Sequence, residues 1–352
     1  MMPAMGAYEI LARPLLFLLP PERAQSLSEW ALRRRWLWRL LTPIFDFQDT
    51  RLRVTAGGLH FPSPVGLAAG YDKNCELLDS LLRLGFGYAV GGTVLPEPRP
   101  GNPRPRLMRL PKQHGLINAL GFPSKGMAAA REGLERLSRD ASRSNKPVVV
   151  SLAALEMDAF QKCHSALEPY ADATELNISS PNTQGIRLFQ DPEHFAELID
   201  RINAARAKPL FIKLPPYTDS VAQEQVLSLV RIAREKGVDG ITVSNTRPVE
   251  APQLAMGRGG LSGQTLLNDT LRMVSEVRAE AGTSIAINAC GGISTAEDTL
   301  RALRAGADTV QLLTGLVYRG PTVARAINKG LVRLMEQQEH ASLQEIVAAG
   351  AP

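Results

Sequence analysis

Eight short apolar segments alternate with longer amphipathic stretches from residue 61 onward. The segments are rich in β-branched residues, and most end in Gly, Ser, Asn or Thr. They are residues 64–70, 87–93, 147–153, 174–179, 210–214, 240–245, 284–290 and 308–314. Strands that alternate with helices indicate a parallel sheet, and eight such units predict an α/β fold of the (β/α)₈ (TIM) barrel type. An open doubly wound sheet is the alternative, but no GxGxxG motif opens a first strand–helix turn.

The composition narrows the class of protein. With 352 residues, of which 44% are apolar, the chain can build one barrel of about 250 residues plus an extension. A net charge of +5 without dense Lys/Arg blocks argues against nucleic acid as a partner. The three cysteines are widely spaced with no CxxC pair, which favours a reducing compartment. No run of 18 apolar residues is present, so we expect no membrane-spanning helix.

The first fifty residues differ from the rest and predict an N-terminal helical extension. Two helix-like segments, 7–19 and 24–45, are separated by two prolines. The second segment carries aromatic and basic residues together, namely Trp30, Trp36, Trp38, Arg33, Arg34, Arg35 and Arg39. Such helices suit the interfacial zone of an anionic membrane, but a helical hairpin packed on the barrel would give the same pattern.

These patterns divide the chain into an extension at residues 1–50, a barrel at 51–340 and a C-terminal tail at 341–352. The proline- and arginine-rich stretch 96–112 is predicted to be a long loop rather than a barrel element.

The carboxyl ends of the predicted strands should carry the active site. Those ends hold Ala69 to Lys73, Thr93, Ser151, Asn177 to Asn182, Lys213, Ser244 to Thr246, Gly291 to Ile293, Thr314 and Gly315. This set has many amide, hydroxyl and ammonium groups, no histidine and a single carboxylate, Asp72. It therefore argues against a Ser-His-Asp triad, a pair of catalytic carboxylates or a metal site. A planar, carbonyl-rich, anionic ligand fits these donors.

The last two strand ends suggest a phosphate site. The sequences CGGIST and LTGLVYRG follow strands seven and eight, where barrels commonly bind phosphate through backbone N–H groups. Glycine serves tight turns as well, so a purely structural role stays open. Lys213 at the end of strand five favours a cofactor with negative charge or an electron-rich ring, because an unpaired buried ammonium is costly.

Several motifs together resemble a known family. The segments PVGLAAGYDKN, GGTVLPEPRPGNPRPRLMRL, GLINALGF, NISSPNTQGIR, SNTRP, GGLSG and GLVYRGP are similar, in this order, to those of quinone-dependent dihydroorotate dehydrogenases, flavin enzymes of pyrimidine synthesis. The resemblance covers essentially the whole chain. It implies FMN as cofactor, dihydroorotate and a membrane quinone as substrates, and peripheral attachment to the cytoplasmic side of the cell membrane through the N-terminal helices, which would form the quinone's access route.

The resemblance also assigns a role to the segment NISSPNTQG. It implies that Ser180 is the catalytic base that removes a proton from C5 of dihydroorotate while a hydride leaves C6 for N5 of FMN. Cytosolic members carry cysteine at this position, so serine indicates the quinone class. A serine hydroxyl is a weak base, so the site must supply an acceptor for its proton.

The remaining site residues follow from the same resemblance. The implied substrate contacts are Lys73, Asn118, Ala119, Leu120, Gly121, Phe122, Asn177, Asn182, Asn245 and Thr246. The implied FMN contacts are Ala69, Gly70, Tyr71, Asp72, Lys73, Thr93, Ser151, Asn177, Lys213, Ser244, Gly263, Gly292, Leu313 and Thr314. Amides can satisfy both the C=O and N–H groups of a pyrimidine ring, and an ammonium can bind its carboxylate.

The chain departs from the family pattern at Ala119, Pro123, Ser151, Gln184 and Leu313. Two alternatives therefore stay open. One is another flavin-dependent barrel oxidoreductase that uses a soluble electron acceptor. The other is a non-catalytic, membrane-associated relative that has lost FMN.

Overall fold

The N-terminal extension is helical, as predicted. The computed structural model describes residues 6–180 and 185–350. A π-helical turn, Tyr8–Ala12, leads into α1 (Arg13–Leu18), which is followed by α2 (Pro21–Leu32) and α3 (Arg35–Phe45). The predicted continuous helix over 24–45 is wrong, because the ψ of Arg34 is 69° and breaks the helical path. The Trp38 indole N–H donates to the Ala31 carbonyl (3.0 Å), which links the two helices across this break.

Fourteen strands follow in the described part of the chain. They are β1 (Val54–Ala56), β2 (Leu59–Phe61), β3 (Val65–Leu67), β4 (Tyr88–Val94), β5 (Leu107–Leu110), β6 (Gly115–Asn118), β7 (Val148–Leu152), β8 (Ala173–Asn177), β9 (Leu210–Lys213), β10 (Gly240–Val243), β11 (Arg247–Glu250), β12 (Arg258–Gly263), β13 (Ala286–Cys290) and β14 (Thr309–Leu312). Eight of them close a parallel barrel in the order β3-β4-β7-β8-β9-β10-β13-β14. These are the eight predicted strands, so the (β/α)₈ barrel is confirmed.

The amino-terminal end of the barrel is closed by side chains. The β1–β2 hairpin places Phe61 against Tyr88, with ring centroids 4.7 Å apart. Tyr88 fills the barrel axis so fully that a Cβ on Gly66 would lie 2.2 Å from its ring. Leu59 and Phe211 complete this apolar plug. Ligands must therefore approach from the opposite end, where the strands finish.

A second, antiparallel sheet lies over that open end, in the order β11-β12-β6-β5. Its strands come from the long connections after β4 and β10. The predicted loop at 96–112 is therefore wrong in part, because Leu107–Leu110 pairs with Gly115–Asn118 as β5. Arg109 on β5 donates to the Leu19 carbonyl (2.7 Å), which ties this sheet to the N-terminal helices.

The remaining helices surround the barrel. They are α4 (Leu78–Leu82), α5 (Met127–Ser138), α6 (Met157–Leu167), α7 (Pro192–Asn203), α8 (Ser220–Glu235), α9 (Leu267–Ala281), α10 (Ala296–Arg304), α11 (Thr314–Arg319), α12 (Val323–Gln337) and α13 (Leu343–Ala348). The predicted C-terminal tail thus contains a helix, which buries Leu343 and Ile346 in the main hydrophobic core.

Candidate active site

A cavity of about 470 Å³ extends from the open end of the barrel, under the antiparallel sheet, to the N-terminal helices. Most of the predicted site residues line it, namely Ala69, Gly70, Tyr71, Lys73, Thr93, Asn118, Leu120, Gly121, Phe122, Asn177, Ser180, Lys213, Ser244, Asn245, Thr246, Gly263, Gly292, Leu313 and Thr314. The structure thus brings Ser180, Lys73, Asn118 and Asn245 onto one surface. Asn182 lies outside the described residues.

Three predicted residues do not line this cavity. The Asp72 carboxylate accepts hydrogen bonds from the backbone N–H groups of Glu76 (3.0 Å) and Leu77 (2.6 Å), so it faces its own loop. Burial raises the pKa of Asp72 to about 6, although these N–H groups oppose the shift. Ser151 is fully buried behind Thr93, and Ala119 is buried in an apolar cluster with Ile117.

One hydrogen-bonded network fixes the polar end of the cavity. The Asn177 side chain donates to the Thr93 hydroxyl (2.8 Å) and accepts from the Ser179 hydroxyl (2.9 Å). The Asn245 amide donates to Ser179 (2.9 Å), while its oxygen accepts from the Thr246 N–H (2.7 Å). Side chains at the ends of three strands, β4, β8 and β10, are therefore held in one arrangement. Ser179, which joins the side-chain amides of Asn177 and Asn245, had no predicted role of its own.

Ser180 follows this network directly and lines the cavity with only 7% of its surface exposed. A buried hydroxyl beside fixed amides can contact a ring that those amides orient.

Two lysines supply positive charge to the cavity. Burial lowers the pKa of Lys73, although Glu29 and Asp72 oppose this shift. Burial also disfavours the charged form of Lys213. Electrostatic interactions with Cys290 and Glu175 outweigh this effect, so the pKa of Lys213 is raised. The Cys290 thiol lies 3.9 Å from the Lys213 ammonium, and burial raises the pKa of this thiol. Both ammonium groups can therefore attract an anionic ligand.

Backbone donors are available at the ends of β13 and β14. Gly291 and Gly292 have φ values of 141° and 78°, and a Cβ on Gly292 would lie 2.4 Å from the Leu267 backbone nitrogen. Only glycine fits this close approach. Among the described residues, the N–H groups of Gly291 and Gly292 have no hydrogen-bond acceptor. Such N–H groups facing a cavity can bind an anion.

The outer end of the cavity is apolar, with a few polar side chains. Leu16, Phe17, Ala24 and Leu32 contribute its hydrophobic wall. Its polar members include Tyr8, Arg109, His114 and Tyr318. None of these four has a predicted role, because the predictions considered the strand ends of the barrel; Arg109 and Tyr318 stood within quoted motifs.

Comparison with known proteins decides the family. The sequence profile described as dihydroorotate dehydrogenase matches residues 51–335. The chain belongs to the dihydroorotate dehydrogenase family. It is 37% identical over 358 residues to a protein of Mesorhizobium japonicum named dihydroorotate dehydrogenase (quinone), covering 97% of this chain and 96% of that protein. A Roseiflexus protein of the same name is 38% identical over 355 residues, covering 96% of this chain and 97% of its own length.

Solved structures of the dihydroorotate dehydrogenase family share the fold. The Eimeria tenella DHODH in complex with ferulenol matches with a TM-score of 0.83 and 31% identity, covering 93% of this chain and 94% of that one. The ligand-free form of the Eimeria tenella protein matches with a TM-score of 0.84.

Two further findings concern the described residues alone. None of their helices combines the length and apolar character that crossing a bilayer requires. Their His, Cys, Asp and Glu side chains also form no group of three that could hold a metal ion.

Proposed function

We propose that this protein oxidises (S)-dihydroorotate to orotate in pyrimidine biosynthesis, with FMN as hydride acceptor and a membrane quinone as final electron acceptor. The observation that carries this proposal is the single cavity with two unlike ends. Its inner end is lined by Ser180, Lys73 and asparagine amides, which suits a small polar acid. Its outer end is apolar and reaches the N-terminal helices, which suits a lipophilic quinone.

The substrate would bind at the inner end through complementary polar groups. Lys73 would bind the carboxylate, while Asn118, Asn177 and Asn245 would pair with the ring C=O and N–H groups. Asn182 would join them, and Thr246 with Leu120, Gly121 and Phe122 would complete the wall. Leaving one such buried group unpaired costs about 1–3 kcal/mol, which would make the site selective for the pyrimidine ring.

The cavity also fits FMN. The N–H groups of Gly291 and Gly292, beside Leu313 and Thr314, suit its phosphate. The Ser262 hydroxyl is hydrogen-bonded to Thr314 at 2.9 Å. Lys213, only 5% exposed, suits a ring system that gains negative charge on reduction. Ala69, Gly70, Tyr71, Thr93, Ser244 and Gly263 would complete the FMN site. When bound, FMN supplies the acceptor for the hydride that leaves C6 of the substrate.

The protein's own groups would then move the proton. Ser180 would take the C5 proton as the hydride departs from C6, and its hydroxyl would release a proton to water or a fixed acceptor. The network through Ser179 would hold the ring in place during this step, so that little reorganisation accompanies the reaction.

The visible spectrum of the purified protein tests this function. We expect a flavin band near ~450 nm that dihydroorotate bleaches under anaerobic conditions and a quinone restores. A preference for fumarate or NAD over quinone would favour the soluble-acceptor alternative. Absence of the band, both as purified and after FMN is added, would favour the non-catalytic relative.

We also propose that the N-terminal helices attach the protein to the anionic cytoplasmic face of a membrane, so that quinone enters between them. Fourteen large apolar side chains are exposed among the described residues, and ten of them lie between Ile10 and Ile44. Such clustering marks an interaction surface. Several arginines that suggested lipid contact bind the barrel instead, since Arg33 pairs with Glu76 and Arg39 with Asp140.

If the N-terminal helices bind a membrane, making their exposed apolar face polar should weaken lipid binding. Replacing Leu15, Trp36 and Leu40 together by serine should lower the partition coefficient onto anionic vesicles by roughly 10²-fold. Full burial of a large apolar side chain contributes about 1.5–3 kcal/mol, and each of these side chains would contribute part of that free energy on entering the membrane. Vesicle sedimentation measures the effect. Leu188, Val221 and Met256, exposed elsewhere on the surface, provide the matched triple serine control. Equal binding by both variants would contradict the proposal.

A further inference from the structure

Quinone reduction needs a proton at the outer end of the cavity. This step rests on the function proposed above. Oxidation of dihydroorotate releases one proton, from C5, to the medium and sends two electrons and one proton to the cofactor. A quinone becomes a quinol by taking two electrons and two protons. One of these protons comes with the electrons, so the second must come from the medium.

Most titratable groups at the outer end are unsuited to deliver it. The Tyr8 hydroxyl donates to the Val317 carbonyl (2.9 Å), and the Tyr318 hydroxyl donates to the Gly115 carbonyl (2.7 Å). Burial raises the pKa of both tyrosines, which holds their protons more firmly. Arg109 and Arg319 are guanidinium groups, which do not release protons near neutral pH. Among the described residues at this end, His114 carries an imidazole, the side chain that most often transfers protons in enzymes.

His114 also contacts both solvent and the cavity. The residue is exposed to water, yet it forms part of the cavity wall. Its ring stacks on the ring of buried Tyr318, with centroids 5.1 Å apart and an interplanar angle of 27°. The backbone around it is fixed, because a Cβ on Gly263 would lie 2.3 Å from the His114 carbonyl oxygen. A proton accepted from water on one side of this ring can therefore leave on the other.

Basic and phenolic side chains surround His114. Arg109 on β5 and Arg13 on α1 both act on the neighbouring Tyr318, and Lys112 lies in the same turn as His114. Tyr8 and Tyr318 also line this wall, and both are neutral because burial raises their pKa.

We propose that His114 delivers a proton from water to the quinone oxygen during quinol formation. An N–H bond of the imidazolium breaks as the O–H bond of the quinol forms, and water then reprotonates the ring. Electrons come from the reduced cofactor, so no further reductant is required. His114 would thus be a catalytic residue of the quinone half-reaction and would have no part in dihydroorotate oxidation.

The test separates the two half-reactions in the full-length, FMN-loaded protein. FMN is first reduced with dithionite, and its reoxidation by a short-chain ubiquinone is followed by stopped flow between pH 6 and 9. We expect His114→Gln to slow reoxidation by roughly 10²-fold and to abolish its dependence on pH near neutrality. Added imidazole should partly restore the rate of His114→Ala. The control is His60→Gln, since His60 is exposed on β2 at the closed end of the barrel.

A second readout excludes a merely structural role. Quinone binding, followed by quenching of tryptophan fluorescence because Trp38 lines the cavity, should be unchanged in His114→Gln. Unchanged reoxidation across the pH range, or a slower rate explained by weaker quinone binding, would overturn the proposal. If dihydroorotate fails to reduce the wild type while the dithionite-reduced protein still shows the His114 effect, the proposed substrate is wrong and the role of His114 stands. If quinone fails to reoxidise the reduced wild type, both proposals fall.

Discussion

Replacing Ser180 by alanine is expected to leave FMN bound and to slow its reduction by dihydroorotate by roughly 10²–10⁴-fold, the usual contribution of general acid–base catalysis. Ser180 is buried and lines the cavity beside the fixed amides of Asn177 and Asn245. Anaerobic stopped flow at the flavin band measures the rate. Reduction of the variant at nearly the wild-type rate would rule out Ser180 as the base.

The neighbouring serine provides the matched control. Ser179→Ala removes the hydroxyl that joins Asn177 to Asn245, so it should raise the KM for dihydroorotate more than it lowers the limiting rate. Ser180→Cys should retain part of the activity, because a thiol can also accept the proton. A pattern in which Ser179→Ala lowers the limiting rate as much as Ser180→Ala would place the base elsewhere.

Replacing Lys73 by methionine is expected to weaken orotate binding by roughly 10- to 100-fold, since a hydrogen bond to a charged group contributes about 1.5–3 kcal/mol. Methionine keeps a similar length and removes the charge together with its N–H donors. Titration of the flavin spectrum with orotate measures the affinity. Lys125→Met is the control, because Lys125 is an exposed lysine that pairs with Glu76 at the surface.

The same lysine predicts a pH dependence. Burial lowers the pKa of Lys73, so the free site loses its ammonium at a lower pH than an exposed lysine would. A bound carboxylate favours the charged form. Affinity for orotate should therefore be full below the pKa of the free site and fall as the pH rises through it. Lys73→Met should lack this alkaline decline; a decline of the same size in both proteins would assign it to another group.

The barrel could be predicted from the sequence because buried parallel strands appear as continuous runs of apolar, β-branched residues. The apolar run at 147–153, for example, contains β7 (Val148–Leu152), which is buried throughout. The strands of the antiparallel sheet have no such apolar runs. Its strand β11 (Arg247–Glu250) alternates between half-buried and exposed residues, and β12 pairs with a strand more than a hundred residues earlier, with Gly260 opposite Asn118. Such pairing depends on the folded barrel that brings these loops together.

The sequence predicted where the candidate site lies, but not which way each of its side chains points. Strand ends identified Thr93 and Asn177, but sequence alone could not show that Ser151 packs behind Thr93. Asp72 stood in the correct loop, yet its carboxylate binds the backbone of that loop. His114 was missed because it lies in the turn between the inserted strands β5 and β6, and sequence alone could not show that this turn packs against Tyr318 at the cavity.

Because Phe61 and Tyr88 close the amino-terminal end of the barrel, the turns at that rim do not contact the cavity. Gly237 and Gly282 lie in two of those turns, and a Cβ at either would meet open space. We therefore expect an affinity tag or a fluorophore attached at this rim to leave turnover unchanged, whereas the turns at the other rim line the cavity. The barrel thus has one face for engineering and one for catalysis.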